Sequence, residues 1–121
     1  GGKPMITDEL RKQIADHVVG LINHASASAK VGLGGNSTSP AALDIDVPSG
    51  ASINQLNAVK SNDTAFQVFV EVLGDQLTGL TIREMGLFDS SSNMLARVSF
   101  DGISSVSSTE KLQLFLTLEV R

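Results

Sequence analysis

Between Leu80 and Phe100 the chain reads LTIREMGLFDSSSNMLARVSF. One apolar arm carries Ile82, Met85, Leu87 and Phe88, and a second carries Met94, Ala96, Val98 and Phe100, with Arg97 and Ser99 on the opposite parity. The polar run Asp89-Ser90-Ser91-Ser92-Asn93 separates them. Apolar arms on either side of a short Asp/Ser/Asn loop predict a β-hairpin. Within it, Glu84 lies between Arg83 and the run Met85-Gly86-Leu87-Phe88. A carboxylate there is either exposed or paired, with Arg83 or Arg97 as the available cations or backbone N–H groups beside Gly86 as donors, and Gly86 answers a backbone requirement.

Upstream, apolar residues recur at Ile6, Leu10, Ile14, Val18, Leu21, Ile22 and Ala25. Steps of three and four predict a helix from Ile6 to about Ala27. Thr7 serves as N-cap, with Asp8 and Glu9 in the first turn, where the positive end of the helix dipole favours them. Arg11, Lys12, Asp16 and Asn23 fall on the other side. The stripe, with Leu10, Ile14 and Leu21 as its anchors, can dock on a sheet of the same chain or pair with copies of itself. Tertiary docking is the commoner source of helix stability, and a stripe of about three heptads is marginal for a coiled coil.

Ser26 to Lys30 reads as a small-residue exit from the helix, followed by a glycine-rich loop, Val31 to Pro40. Leu43, Ile45 and Val47 alternate with Asp44 and Asp46 up to Pro48, predicting a short or edge strand. Ser49 to Asp63 reads as a polar loop with some strand character, anchored by Leu56 and Val59. Ala65 to Leu73 is a strong strand with Phe66, Val68, Val70 and Val72 on one parity; Phe69 interrupts the polar face, so that face is expected to be partly covered. Gly74-Asp75, Thr78-Gly79 and Asp101-Gly102 are turn signals. After a serine-rich stretch, Leu112 to Arg121 places an apolar residue at every even position, the clearest half-buried strand in the chain.

These elements predict an α+β domain: mainly an antiparallel β-sandwich or sheet with one N-terminal amphipathic helix. Residues 1–4 read as a remnant of expression or a fragment junction, 5–28 as the helix and 29–121 as the β-rich part of a single domain, which suits 121 residues.

Composition narrows the function. A net charge of −4 without a Lys/Arg cluster speaks against nucleic acid and against an anionic membrane surface. No apolar run approaches the ~20 residues of a membrane span, and no basic region followed by an apolar block marks a signal peptide. With no cysteine, disulfides, thiol catalysis and cysteine-ligated metals are excluded. With no Trp or Tyr and five Phe, the chain has little of the aromatic material that sugar-binding faces use.

Candidate chemistry is sparse. His17 and His24 are seven apart and share a helix face, without the i,i+4 pair and further ligands of a metal site. The Gly32, Gly34, Gly35 cluster lacks both the Lys of a P-loop and dinucleotide-binding spacing. Asp44 and Asp46 lack the third acidic group and glycine of a calcium loop. No serine sits in a nucleophile elbow. An enzyme would have to draw on Asp44, Asp46, Glu84, His17 and His24, which no spacing brings together. We therefore expect no catalytic, cofactor or metal residues.

Three blocks in order, VGLGGNSTSPAALDIDV (31–47), FQVFVEV with LTGLTIREMGLFDSSSNMLARVSF (66–100) and LQLFLTLEV (112–120), resemble bacteriophage tail structural proteins of the small tail-fibre, tail-collar and baseplate-associated type. The core of the resemblance is Ile82-Arg83-Glu84-Met85-Gly86-Leu87-Phe88-Asp89 followed by Leu95-Ala96-Arg97; the loop Ser91-Ser92-Asn93 departs from the family's D-G type turn. The resemblance implies a non-enzymatic virion part, made in the host cytoplasm, that forms a homo-oligomer and joins other tail proteins. A trimer would suit a fibre and a six-fold ring a baseplate. Glu84, Gly86, Phe88 and Arg97, with Leu10, Ile14 and Leu21 on the helix, are then architectural or interface residues. A receptor- or carbohydrate-binding module of the virion is the alternative.

Overall fold

A computed structural model describes residues 2–34, 53–104 and 106–121. The expected strand at residues 41–47, with Asp44 and Asp46, lies outside the described residues. The order is α1 (Asp8–Asn23), β1 (Ala27–Gly32), β2 (Ile53–Lys60), β3 (Ala65–Leu73), a 3-10 turn (Gly74–Gln76), β4 (Ile82–Asp89), β5 (Met94–Ile103) and β6 (Lys111–Glu119). The class is α+β, with one helix and two three-stranded antiparallel sheets, β1-β4-β5 and β2-β3-β6.

The helix begins where the sequence places it. The Thr7 hydroxyl accepts from the Leu10 N–H at 3.3 Å, with Asp8 and Glu9 in the first turn. It ends four residues early. Ala25 turns left-handed (φ 58°), Ser26 N–H donates to the Leu21 carbonyl at 2.8 Å and Ala25 N–H to that of Ile22 at 3.4 Å. This is a Schellman stop with alanine at the position where glycine is usual.

The expected stripe does not stay on one buried face. Ala15 and Ile22 are buried, Val18 and Val19 partly so, while Leu10 and Ile14 are 45% and 39% exposed. Each four-residue step overshoots a full turn by about 40°. A row at 6, 10, 14, 18 and 22 therefore winds around the helix, and only its later members, Val18 and Ile22, pack against the core. Asp16 and Asn23, read from sequence as outward-facing, in fact bind β2. The Asn23 amide donates to the Ala58 carbonyl and accepts from the Ala58 N–H, both at 2.8 Å, and Lys60 reaches Asp16.

Two strands stand where loops were expected. Ala27 to Gly32 pairs along β4, from Ala27 opposite Asp89 to Gly32 opposite Glu84. Ile53 to Lys60, expected as a polar loop with some strand character, is a full strand paired with β3. Asp101-Gly102, expected as a turn, continues β5. The β3 strand and the β4–β5 hairpin fall where the alternation puts them, and a register shift between Ile82 and Glu84 explains why Ile82 and Met85 are both buried despite opposite parity.

One apolar core draws on both sheets and the helix: Val31, Met85 and Leu87 from the first sheet, Phe66, Val68, Val70 and Val72 from the second, with Ala15, Ile22 and Leu77. Gly74 pins the chain crossing between sheets. Its N–H donates to the Glu110 carbonyl at 2.8 Å, and a β-carbon there would lie 2.1 Å from the Ser107 carbonyl oxygen, so no side chain fits.

Candidate assembly site

Alternation along β4 sends Met85 and Leu87 into the core and Glu84, Gly86 and Phe88 to the other face of the first sheet. Glu84 is 1% exposed. Arg97 stands on β5 opposite Gly86, while Glu84 stands opposite Ser99, so Arg97 and Glu84 are diagonal cross-strand neighbours. The Arg97 guanidinium donates to the Glu84 carboxylate through Nη2 at 2.9 Å. Arg83, the other cation considered for Glu84, is exposed. Gly86, between Lys30 on β1 and Arg97 on β5, keeps this row clear of a side chain.

Gly34, just beyond β1, lies against the same carboxylate. A β-carbon on Gly34 would come 3.1 Å from Glu84 Oε2, tighter than ordinary packing, so the backbone approaches as closely as it does because Gly34 has none. Phe88 is buried on this face, with Lys30 Nζ 4.7 Å from the centre of its ring, a cation–π contact. Four of the sequence-selected residues, Glu84, Gly86, Phe88 and Arg97, thus share one face. Leu10, Ile14 and Leu21 lie apart from them on α1.

Chemically this face holds strands together. A buried ion pair is costly to desolvate and its net contribution is small, but removing one partner leaves a charge without compensation, at about 3–5 kcal/mol. The pair ties β4 to β5 at this register, and loss of either partner is the costly change. Among the described residues no group of three or more His, Cys, Asp or Glu side chains gathers in a metal-binding arrangement, and His17 and His24 are both exposed. Among the same residues no helix is long and apolar enough to cross a membrane.

A second polar cluster was not anticipated. Glu71, on the outer face of β3, is 3% exposed and accepts from Asn54 at 2.6 Å and Gln113 at 3.0 Å. These bonds, that from Gln113 first, hold its carboxyl below the usual glutamate range. The sequence signal was the partly covered polar face implied by Phe69; the partners come from β2 and β6, which only the pairing identifies. Phe69 stacks on Phe115, directly across in β6, with ring centroids 5.1 Å apart and tilted 47°.

Apolar surface gathers between β5 and β6, the last strands of the two sheets. Two open clefts of about 250 and 430 Å³ lie along this seam, the smaller walled by Leu95, Leu118 and Ile14 and the larger by Phe100, Ile103 and Leu114. Val59 and Phe115, 64% and 62% exposed, add apolar surface on the outer face of the second sheet. No family model, curated protein or solved structure matches this chain.

Proposed function

We propose that the chain is a non-enzymatic structural part of a bacteriophage tail, acting in tail-fibre or baseplate assembly through contacts with copies of itself and with other tail proteins. The observation that carries this reading is the buried Glu84–Arg97 pair under Gly34. The resembling blocks are far apart in sequence, yet Gly34 of the first, Glu84 of the E-x-G-L-F-D string and Arg97 of the L-A-R string meet at that pair. The two charges are turned to one another and away from solvent, which supports a role in shape. We read the two sheets as the halves of a β-sandwich, supported by the single core they share. The exposed stripe of α1 and the seam between β5 and β6 then supply surfaces for assembly.

The test is immunogold electron microscopy, with antibody raised against the purified chain, on particles of the phage that encodes it. Label is expected at the tail. Particles that contain no trace of the chain by labelling and by mass spectrometry would overturn the reading.

A further inference from the structure

The free edge of β6 carries a pattern complementary to itself. Val120 N–H donates to the Thr64 carbonyl and Gly74 N–H to that of Glu110, each at 2.8 Å, at the two ends of the β3–β6 ladder. Backbone groups alternate between the two sides of an antiparallel strand. The even-numbered residues of β6 therefore bond β3, and the N–H and C=O groups of Lys111, Gln113, Phe115, Thr117 and Glu119 point away from it. Among the described residues no strand pairs with that edge. The side chains of the same five residues are exposed.

We infer that β6 is a self-docking edge, and that two copies join through it, antiparallel and two-fold symmetric about Phe115, into one continuous six-stranded sheet. Three observations fix that register. Outward backbone groups sit on odd residues, and an axis at Phe115 pairs odd with odd. The axis sets Lys111 opposite the second copy's Glu119, and Glu119 opposite its Lys111, so both ends match in charge. Sliding the axis to Leu116 sets Lys111 against Arg121, and sliding it to Leu114 sets it against Thr117; neither opposes unlike charges. Finally, Phe115 meets its own copy while already stacked on Phe69, giving a row of four phenyl rings across the new sheet. Adding a strand at an open edge is a recurrent docking mode, and a patch that binds itself gives an isologous pair. The inference deepens the assembly reading and rests on its self-association alone.

The chain has no cysteine, so an introduced one is unique. Phe115→Cys places two thiols in a hydrogen-bonded cross-strand pair about 5.5 Å apart at Cα, within disulfide reach. Under mild oxidation it is expected to give a covalent dimer, and Gln113→Cys alone is not. Mixing Gln113→Cys with Thr117→Cys, which keeps Phe115, is expected to give the mixed dimer. In sedimentation equilibrium, Lys111→Glu and Glu119→Lys each weaken the dimer by on the order of tenfold, and the double exchange restores it. The inference is overturned if Gln113→Cys links as readily as Phe115→Cys, if the double exchange fails to restore association, or if the wild-type chain stays monomeric and Phe115→Cys unlinked. A trimer or hexamer without the Phe115→Cys link overturns this edge and leaves the assembly reading standing. A linked dimer from a chain absent from virions does the reverse.

Discussion

The two long sides of the molecule treat their strand edges differently. On one side β2 is covered by α1: Asn23 offers the Ala58 backbone both an acceptor and a donor, as a neighbouring strand would, and Asp16 holds Lys60. On the other, apolar clefts lie between β5 and β6, and among the described residues no strand pairs with the outer edge of β6. An uncovered edge invites pairing with another chain. The helix thus closes the β2 edge, and among the described residues nothing does the same for the edge of β6. The asymmetry also bears on the half-exposed helix stripe: its C-terminal end is committed to β2, while Ile14, 39% exposed, borders the open cleft beside Leu95 and Leu118.

The largest effect is expected on the buried pair that sets the register of the open side's hairpin. Arg97→Ala leaves the Glu84 charge buried without its guanidinium and lowers stability by about 3–5 kcal/mol, read as a shift of the urea unfolding midpoint. Glu84→Ala is expected to do the same, with a loss of assembly and no loss of a catalytic activity. An unchanged midpoint with unchanged particle size would show that the pair does not hold β5 in place.

Asn23→Ala tests the closed side. It removes both partners of Ala58 at once and is expected to cost about 2 kcal/mol, since part-buried backbone groups are left to weaker solvation. It also uncovers the β2 edge. Light scattering should then show association that the wild-type protein lacks at the same concentration and that Lys111→Glu does not reverse. If the new association is reversed by Lys111→Glu, it runs through β6 and the division between the two sides fails.

Acid should loosen both sides, in a direction set by four carboxyls. Hydrogen bonds from Lys60 to Asp16, from Gln113 to Glu71, from the Asn93 side chain to Asp89 and from the Ser107 N–H to Glu110 hold all four below their ordinary values of 3.8 for Asp and 4.5 for Glu. Because the folded pKa is the lower one, the stabilisation is complete above the ordinary value and is lost as pH falls through the folded value. The unfolding midpoint should therefore be level from neutral pH down to about 5.5 and fall below about 4.5. Asp16→Asn should flatten the closed side's share only, seen as acid-insensitive hydrogen exchange at Ala58. A midpoint that rises on acidification would contradict the assignment.

The closed side was also the harder one to read. The β3 and β6 strands and the β4–β5 hairpin announce themselves because large apolar residues alternate with polar ones. The β1 strand, Ala-Ser-Ala-Lys-Val-Gly, does alternate, but two of its inward residues are alanines and it continues the small-residue tail of the helix, so the period-2 contrast is weak. In β2 the inward position is Ala58 and the exposed one Val59, which inverts the expected contrast. Both strands exist because β4 and β3 supply their partners, and pairing of that kind overrides local preference. Glu84 and Gly86 were conspicuous within their own segment. That Gly34 would crowd the carboxylate, and that Arg97 and not Arg83 reaches it, depends on the joint register of β1, β4 and β5, which no single segment contains.

The smallest effect compares the two sides at equal chemistry. Among the described residues each has one non-glycine residue at positive φ: Ala25 (58°), where α1 turns into β1, and Ser92 (65°), at the tip of the β4–β5 hairpin. The left-handed region costs an L-residue roughly 1–2 kcal/mol and costs glycine little, though glycine also loses more chain entropy on folding. Ala25→Gly is expected to raise stability by about 0.5–1 kcal/mol. The Ser92 loop is already organised by Asp89, which accepts from the Ser91 N–H at 2.9 Å, from the Asn93 N–H at 2.8 Å and from the Asn93 amide at 3.0 Å. That network fixes the turn with or without the serine Cβ, so Ser92→Gly is expected to gain a similar amount while leaving the β4–β5 register unchanged. Thermal unfolding of the two single variants and the double variant checks both. The residues lie on separate elements, so their gains should add. A gain at Ser92 that also weakens β6 self-association would mean the hairpin tip belongs to the open-side interface, and the boundary between the two sides would have to be redrawn there.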